Sequence, residues 1–309
     1  MPGALFKCHL QPRGIVIYLL QFLTVQALVF VLNLLPLELS GRIAKCAGRL
    51  FYTFAAGRRK IALGNLARAY GDTLSREQKK AIVRGSFENT AQSILDLFLI
   101  KKIRKHAARN FTIKGKENMD AALAQGKGVI LITSHLGSWE CLEFLFYLTG
   151  IPCSVIVKSL KNKYLDKSID GLRRATTVIP IPKKNAIRGA LTELQANHVV
   201  AVLIDQWDGK DGLWIDFFGT PTATTSLPAR LAKKTDCALI PAYCLRKGVG
   251  RYEILVLPQV QLPRGEADWE TSVTRRLNEM LESHIREYPE QWSWAHRRWK
   301  PKPETSRQP

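Results

Sequence analysis

The stretch Val129-Ile130-Leu131-Ile132-Thr133-Ser134-His135-Leu136-Gly137-Ser138-Trp139-Glu140 decides how this chain is read. Residues 129–133 are β-branched or leucine, which suits a buried strand, and the apolar run over 139–148 is long enough for a helix. Strand, turn and helix in that order is the context in which α/β enzymes expose working side chains. His135 and Glu140 stand five positions apart, and on one continuous helix five steps of about 100° would place them on different faces. They meet only if the chain bends between them; Gly137 permits the bend, and Ser138 is a natural N-cap for the helix carrying Glu140. Brought together, the carboxylate would accept a hydrogen bond from one imidazole nitrogen, leaving the other as a base toward an attacking hydroxyl.

Toward the C-terminus, strands are expected at 154–158, 178–181, 199–204, 239–245 and 252–257. Helices are expected at 165–175, 186–196 and 227–234, with a longer amphipathic helix at 269–288. The alternation points to an α/β domain. Toward the N-terminus, 52–100 reads as helical with a polar face, and Ser75 followed by Gln78 forms a candidate capping box. Arg58 to Lys60 suit either a solvated face or lipid phosphates. Residues 14–37 are almost wholly apolar, interrupted only by Gln21, Gln26 and Asn33 among strongly polar residues. Such a run is long enough to cross a hydrocarbon core of about 30 Å; a buried core helix is the other reading, and a cleaved signal peptide fits less well. Lys7 and Arg13 precede it, whereas Arg42, Lys45, Arg49, Arg58, Arg59 and Lys60 follow, which places the body of the protein on the cytoplasmic side. The chain therefore divides into an anchor helix (1–38), a helical region (39–110) and an α/β catalytic domain (111–309).

Forty-six Lys and Arg against 26 Asp and Glu give a formal charge of +20, and a 46% hydrophobic fraction excludes a disordered basic tail. A basic folded surface attracts nucleic acid, anionic lipid or an acidic protein. No regular nucleic-acid module is present, and such a reading leaves 14–37 unexplained. A purely structural membrane adaptor would leave His135 without a task. The six cysteines are scattered with no zinc spacing, and Cys141 and Cys153 read as small core residues of a reducing compartment. No metal or organic cofactor is indicated.

His-Leu-Gly-Ser-Trp-Glu has the His-x4-acid form of the glycerolipid acyltransferases, and its Trp-Glu ending resembles the lipid A late acyltransferase family. Further motifs in the same order strengthen the resemblance over nearly the whole chain. They are Arg59 with Asn65 and Leu66, Asp205-Gln206, Phe217-Phe218-Gly219-Thr220-Pro221, and Pro289-Glu290-Gln291-Trp292 followed by Trp294, His296, Arg297, Arg298 and Lys300. The resemblance implies a mixed sheet flanked by helices. It also implies transfer of a fatty acyl chain from acyl carrier protein, or acyl-CoA, to a hydroxyl of a phosphorylated glycolipid at the cytoplasmic face of the bacterial inner membrane. It further implies active-site roles for Asp205 and for an arginine downstream of the motif. Arg174 is favoured narrowly, with Arg173 and Arg188 as alternatives, to hold a phosphate or a developing oxyanion. Gln206 and the loop around Gly219 are candidate substrate contacts, although the loop also suits a plain turn. The tryptophan-rich tail suits either a membrane interface or packing on the domain. Trp207-Asp208-Gly209 departs from the usual pattern, which leaves the acceptor open among lipid A precursors, lysophospholipids, aminolipids and other glycolipids.

Overall fold

A computed structural model describes residues 12–262 and 265–302; Lys7 and Cys8 lie outside the described residues. Helices α1 (Pro12–Leu34), α2 (Leu37–Phe54), α3 (Ala56–Tyr70) and α4 (Arg76–Phe98) lead the chain, with two short helices, α5 (Ile100–Arg104) and α6 (Ala107–Asn110), after them. Pro36 separates α1 from α2 because it cannot continue a helix from the turn before. Ser75 and Gln78 make the expected capping box at the start of α4, each side chain bonding the other's backbone N–H.

Strand β1 (Phe111–Lys114) and helix α7 (Lys116–Leu123) open the α/β part, followed by β2 (Val129–Thr133), α8 (Phe144–Thr149), β3 (Cys153–Val157), α9 (Lys163–Arg174), β4 (Ile179–Pro182), α10 (Ala186–Gln195) and β5 (Val199–Leu203). A hairpin of β6 (Leu213–Phe217) and β7 (Thr220–Thr224) precedes α11 (Leu227–Thr235), β8 (Ala238–Gly248), β9 (Arg251–Val256) and α12 (Trp269–Glu287). Seven strands form one sheet in the order β1-β9-β8-β2-β5-β3-β4, parallel throughout except where β8 meets β9. The sheet is mixed, as expected. Alternate residues of its central strands feed two cores: Ile130, Ile132, Val200 and Val202 pack on the face with α12 and the tryptophan tail, and Val129, Leu131, Val199 and Ala201 on the face with α7 and α8. Burial on both faces explains why these strands are continuous apolar runs in sequence.

Some elements depart from the expectation. The helix expected from Trp139 begins as a 3-10 turn over Trp139–Glu143 and becomes α-helical only at Phe144. The β6–β7 hairpin and the short edge strand β1 carry no long apolar run and were not foreseen.

Candidate active site

Strands β2 and β5 pair in parallel with Thr133 opposite Leu203. The chain runs two residues past each, so His135 and Asp205 arrive side by side beyond the carboxyl ends of adjacent strands, where open α/β sheets gather their sites. His135 Nδ1 lies 2.9 Å from Asp205 Oδ1. Asp205 Oδ2 accepts two further bonds of 2.9 Å, from the His135 backbone N–H and from Trp292 Nε1–H. An ionised carboxylate only accepts, so the network assigns the imidazole proton to Nδ1 and leaves the Nε2 lone pair free of it. The Gln206 side-chain amide sits 3.2 Å from Nε2, as a donor to that lone pair would.

Burial alone would raise the Asp205 pKa, but the charge of His135 and the three converging N–H bonds outweigh it and hold the group at about 2. For His135 burial favours the neutral ring; Asp205 offsets this, with a smaller contribution from Glu140, and the pKa lies above the ordinary value. The neighbouring His296 is kept neutral: burial lowers it to about 4, and its Nε2 accepts the Trp207 backbone N–H.

Glu140 is not the partner of His135. The bend at Gly137 is present, with φ at 69°, and a Cβ there would stand 2.1 Å from the Cys244 carbonyl oxygen. Ser138 does not cap the following turn; its Oγ donates to Asp96 Oδ2 at 2.6 Å. The tight 3-10 turn that follows directs Glu140 toward α9, where Arg173 Nη2 donates to Oε1 at 3.0 Å and to Oε2 at 3.2 Å. Among the described residues no hydrogen bond joins Glu140 to His135, and Trp139 packs against the imidazole instead, ring centres 5.2 Å apart.

Of the three candidate arginines Arg173 lines the cavity, whereas Arg174 is exposed on the next position of α9. Arg188 is exposed on α10 and outside the cavity lining. Gly219 also lies away from it: with φ at 65° after Phe218 at 52°, it turns the β6–β7 hairpin, a pair of left-handed residues typical of a type I′ turn. The tail packs on the domain, with Trp292 and Trp294 fully buried.

Several residues that hold the site were not foreseen. Ser86, Asn89, Ser93 and Asp96 recur at three and four along α4 and form a buried polar stripe facing the His135 turn. Asn89 and Ser93 both donate to the Gly137 carbonyl, at 2.9 and 2.8 Å, and Asn89 also reaches the Gln291 carbonyl. Asp96 gathers Ser138, Arg246 and Tyr252 at 2.6, 2.7 and 2.9 Å. The buried Arg298 holds the Gln206 carbonyl, the Ala223 carbonyl and Thr224 Oγ1. Polar residues recurring at three and four, Ser86, Asn89, Ser93 and Asp96, are the only sequence signal for the α4 stripe; that they are buried comes from the fold.

His135, Glu140, Arg173 and Gln206 border a cavity of about 800 Å³. Its deeper wall is apolar, made by Leu131, Leu142, Phe146, Val155, Val178 and Ala201, and Lys183 and Arg230 also line it. Glu143 lines it too; it accepts a bond from Thr176 Oγ1, and burial, then the nearby Glu140, push its pKa up to about 8. The volume falls within the range of about 300–1,000 Å³ typical of small-molecule sites.

The family model described as bacterial lipid A biosynthesis acyltransferase matches residues 9–301. The chain is 26% identical over 301 residues to the lipid A biosynthesis lauroyltransferase of Escherichia coli, covering 96% of this chain and 94% of that protein. It is 24% identical over 221 residues to a lipid A biosynthesis acyltransferase of Haemophilus influenzae (71% and 68%). It is 27% identical over 191 residues to a phosphatidylinositol mannoside acyltransferase of Mycobacterium tuberculosis; that match covers 60% of this chain and spans 59% of the relative's length. With a match over nearly its whole length, the chain belongs to the bacterial lipid A biosynthesis acyltransferase family.

Proposed function

We propose that the protein is an O-acyltransferase that moves a fatty acyl chain from the thioester of acyl carrier protein, or acyl-CoA, to a hydroxyl of a lipid A precursor at the cytoplasmic face of the inner membrane. The observation that carries this reading is the His135–Asp205 pair, with His135 lining a cavity that has one apolar wall. His135 Nε2 replaces its contact with Gln206 by one to the acceptor hydroxyl and takes its proton as the oxygen attacks the thioester carbonyl. Asp205 keeps the proton on Nδ1 and stabilises the imidazolium. When the tetrahedral intermediate collapses, the C–S bond breaks and the imidazolium proton passes to the departing sulfur, giving an ester and a free thiol. No acyl-enzyme forms.

The apolar wall suits the acyl chain, since burying it there removes methylene groups from water at about 0.8 kcal/mol each. Arg173, bonded to Glu140 on the cavity lining, supports a role in meeting an acceptor phosphate or the oxyanion. Glu140 thus serves by fixing Arg173 and by adding negative potential at His135. Lys183 and Arg230 suit the acidic carrier protein or the phosphates of CoA and acceptor.

The relatives' names include both lipid A and phosphatidylinositol mannoside acceptors, so another glycolipid hydroxyl is the alternative within the same chemistry. The test offers purified protein acyl carrier protein and CoA thioesters with lipid A precursor, phosphatidylinositol mannoside and lysophospholipid, and reads products by mass spectrometry. An ester of the lipid A precursor is expected; no ester of any lipid would sink the enzyme reading.

A further inference from the structure

We propose that α1 and α2 together seat the protein in a single leaflet of a bilayer bearing anionic head groups, with α1 lying against the catalytic domain and not crossing the membrane. By length and composition alone α1 could span: Ile15–Leu34 has a mean hydropathy of 2.4. Its packing points elsewhere. One side of α1 is attached to the body along most of its length. Asn162 Nδ2 donates to the Tyr18 carbonyl at 2.9 Å, Gln26 Nε2 donates to Ser168 Oγ at 2.9 Å, and the rings of Phe22 and Tyr164 lie 5.9 Å apart. Near its end Leu32 is buried, Ser40 Oγ bonds the Leu32 carbonyl, and Lys102 Nζ reaches the Asn33 and Leu35 carbonyls.

The partner, α9, is charged along its length: Lys163, Asp166, Lys167, Asp170, Arg173 and Arg174. The Lys163 side chain is 67% exposed. A spanning α1 would carry α9 into hydrocarbon, where unpaired charges are expelled or placed toward water. An α1 lying in one leaflet keeps α9 and its charges in the head-group region. Its remaining sides, with Leu20, Leu28, Phe30 and Leu34 exposed, face the acyl chains.

Helix α2 continues this surface. Its buried side is small, Ser40, Gly41, Ala44 and Gly48, which lets it pack closely on α4. A second side carries Leu39, Ile43, Leu50 and Phe54 at helical spacing, all exposed, with Phe54 at 79%. Between them lie Arg42, Lys45 and Arg49, all exposed, with Lys45 and Arg49 also paired to Glu88 of α4 at 3.5 and 2.6 Å. An apolar stripe flanked by cations is the pattern of a helix lying in an anionic membrane interface. Leu160 and Tyr164, beside α1, are exposed as well, and Leu160 lines the cavity, so the site opens next to the proposed membrane surface. A lipid acceptor could enter from the leaflet.

The inference rests on the membrane part of the reading above, and its test reads topology without turnover. Full-length protein is produced in a bacterium, and a membrane-impermeant maleimide is applied to intact spheroplasts and to inverted inner-membrane vesicles. Cys8 is read in a Cys46→Ser variant, and the domain is read by Lys184→Cys in a Cys8→Ser/Cys46→Ser background. Both sites are expected to label in inverted vesicles and neither in spheroplasts. Labelling of Cys8 from the spheroplast side with position 184 on the other would overturn the proposal, as would recovery of the protein free of membranes. A fluorophore on Phe54→Cys, in the same cysteine background, tests α2 in phosphatidylethanolamine–phosphatidylglycerol vesicles. It is expected to be quenched several-fold more by brominated lipid than by iodide; the reverse order would remove α2 from the interface. Loss of acyl transfer with unchanged labelling would count against the enzyme reading alone.

Discussion

Replacing Asp205 by Asn isolates the reasoning about the imidazole proton. Three N–H groups converge on the carboxylate: His135 Nδ1 on Oδ1, and the His135 backbone and Trp292 Nε1 on Oδ2. Asparagine has one acceptor oxygen and one donor amide. If its oxygen faces Nδ1, two buried N–H donors are left against an NH₂, at about 1–3 kcal/mol each. If its oxygen serves those two donors, the NH₂ faces Nδ1 and forces the proton to Nε2. The second arrangement costs less, and it blocks the atom that must act as base. Turnover is expected to fall by about 10²–10⁴-fold, the usual contribution of general base catalysis. With the Asp205 charge, the main group that raises the His135 pKa, gone, the acid limb of any residual rate moves to lower pH. The fold should persist near neutrality. It loses a stability term that, in the parent protein, is present above the ordinary value of 3.8 and fades as pH falls toward about 2. Mass spectrometry of the lipid product gives the rate, and ¹⁵N spectra of the imidazole give the tautomer. Activity within tenfold of the parent, or a proton still on Nδ1, would refute the argument.

Exchanging adjacent arginines separates cavity from surface: Arg173→Ala, which strands Glu140 and Glu143, should cut kcat/KM by about 10²-fold or more, and Arg174→Ala should leave it within about twofold. Steady-state kinetics with both variants checks this. Gly137→Ala should destabilise the fold by about 1–3 kcal/mol in urea titrations, since it combines a left-handed φ with a Cβ against the Cys244 carbonyl. The protonated form of Glu143 is favoured by burial, so with a folded pKa of about 8 against 4.5 the fold binds more protons than the unfolded chain between those values. Stability therefore falls as pH rises from about 4.5 to 8, and Glu143→Gln should flatten that slope in melts measured across the range. Asp96→Asn should spare the donor KM while lowering kcat, because Asp96 touches Ser138, Arg246 and Tyr252 and not the cavity; a change confined to KM would count against a positioning role.

The strands with both faces buried were legible because such strands need unbroken apolar runs, and the expected 199–204 and 252–257 fall within a residue of β5 and β9. The β6–β7 hairpin was not, since Thr220-Pro221-Thr222-Ala223-Thr224 lacks such a run and its turn depends on Phe218 and Gly219 both adopting positive φ. For the site, His135 and Asp205 were each legible at a strand end, but their contact was not. Spacing favours the nearby Glu140, and only the register of β2 on β5 sets Asp205 against the imidazole across 70 residues. The choice between Arg173 and Arg174 turned on one helical step of about 100°, finer than a sequence pattern fixes. Trp292 was visible as part of a motif, but its bond to Asp205 depends on the tail folding back beside the His135 turn, where Leu136 bridges Trp292.

The central claim is that His135 acts as a base on the acceptor hydroxyl, and single-turnover acyl transfer by the parent and by His135→Ala tests it most directly. The account predicts one acyl mass added to the lipid, none to the protein, and a rate at least about 10²-fold lower in the folded variant. A His135→Ala rate within tenfold of the parent, or an acylated protein that forms and decays with the product, would contradict it.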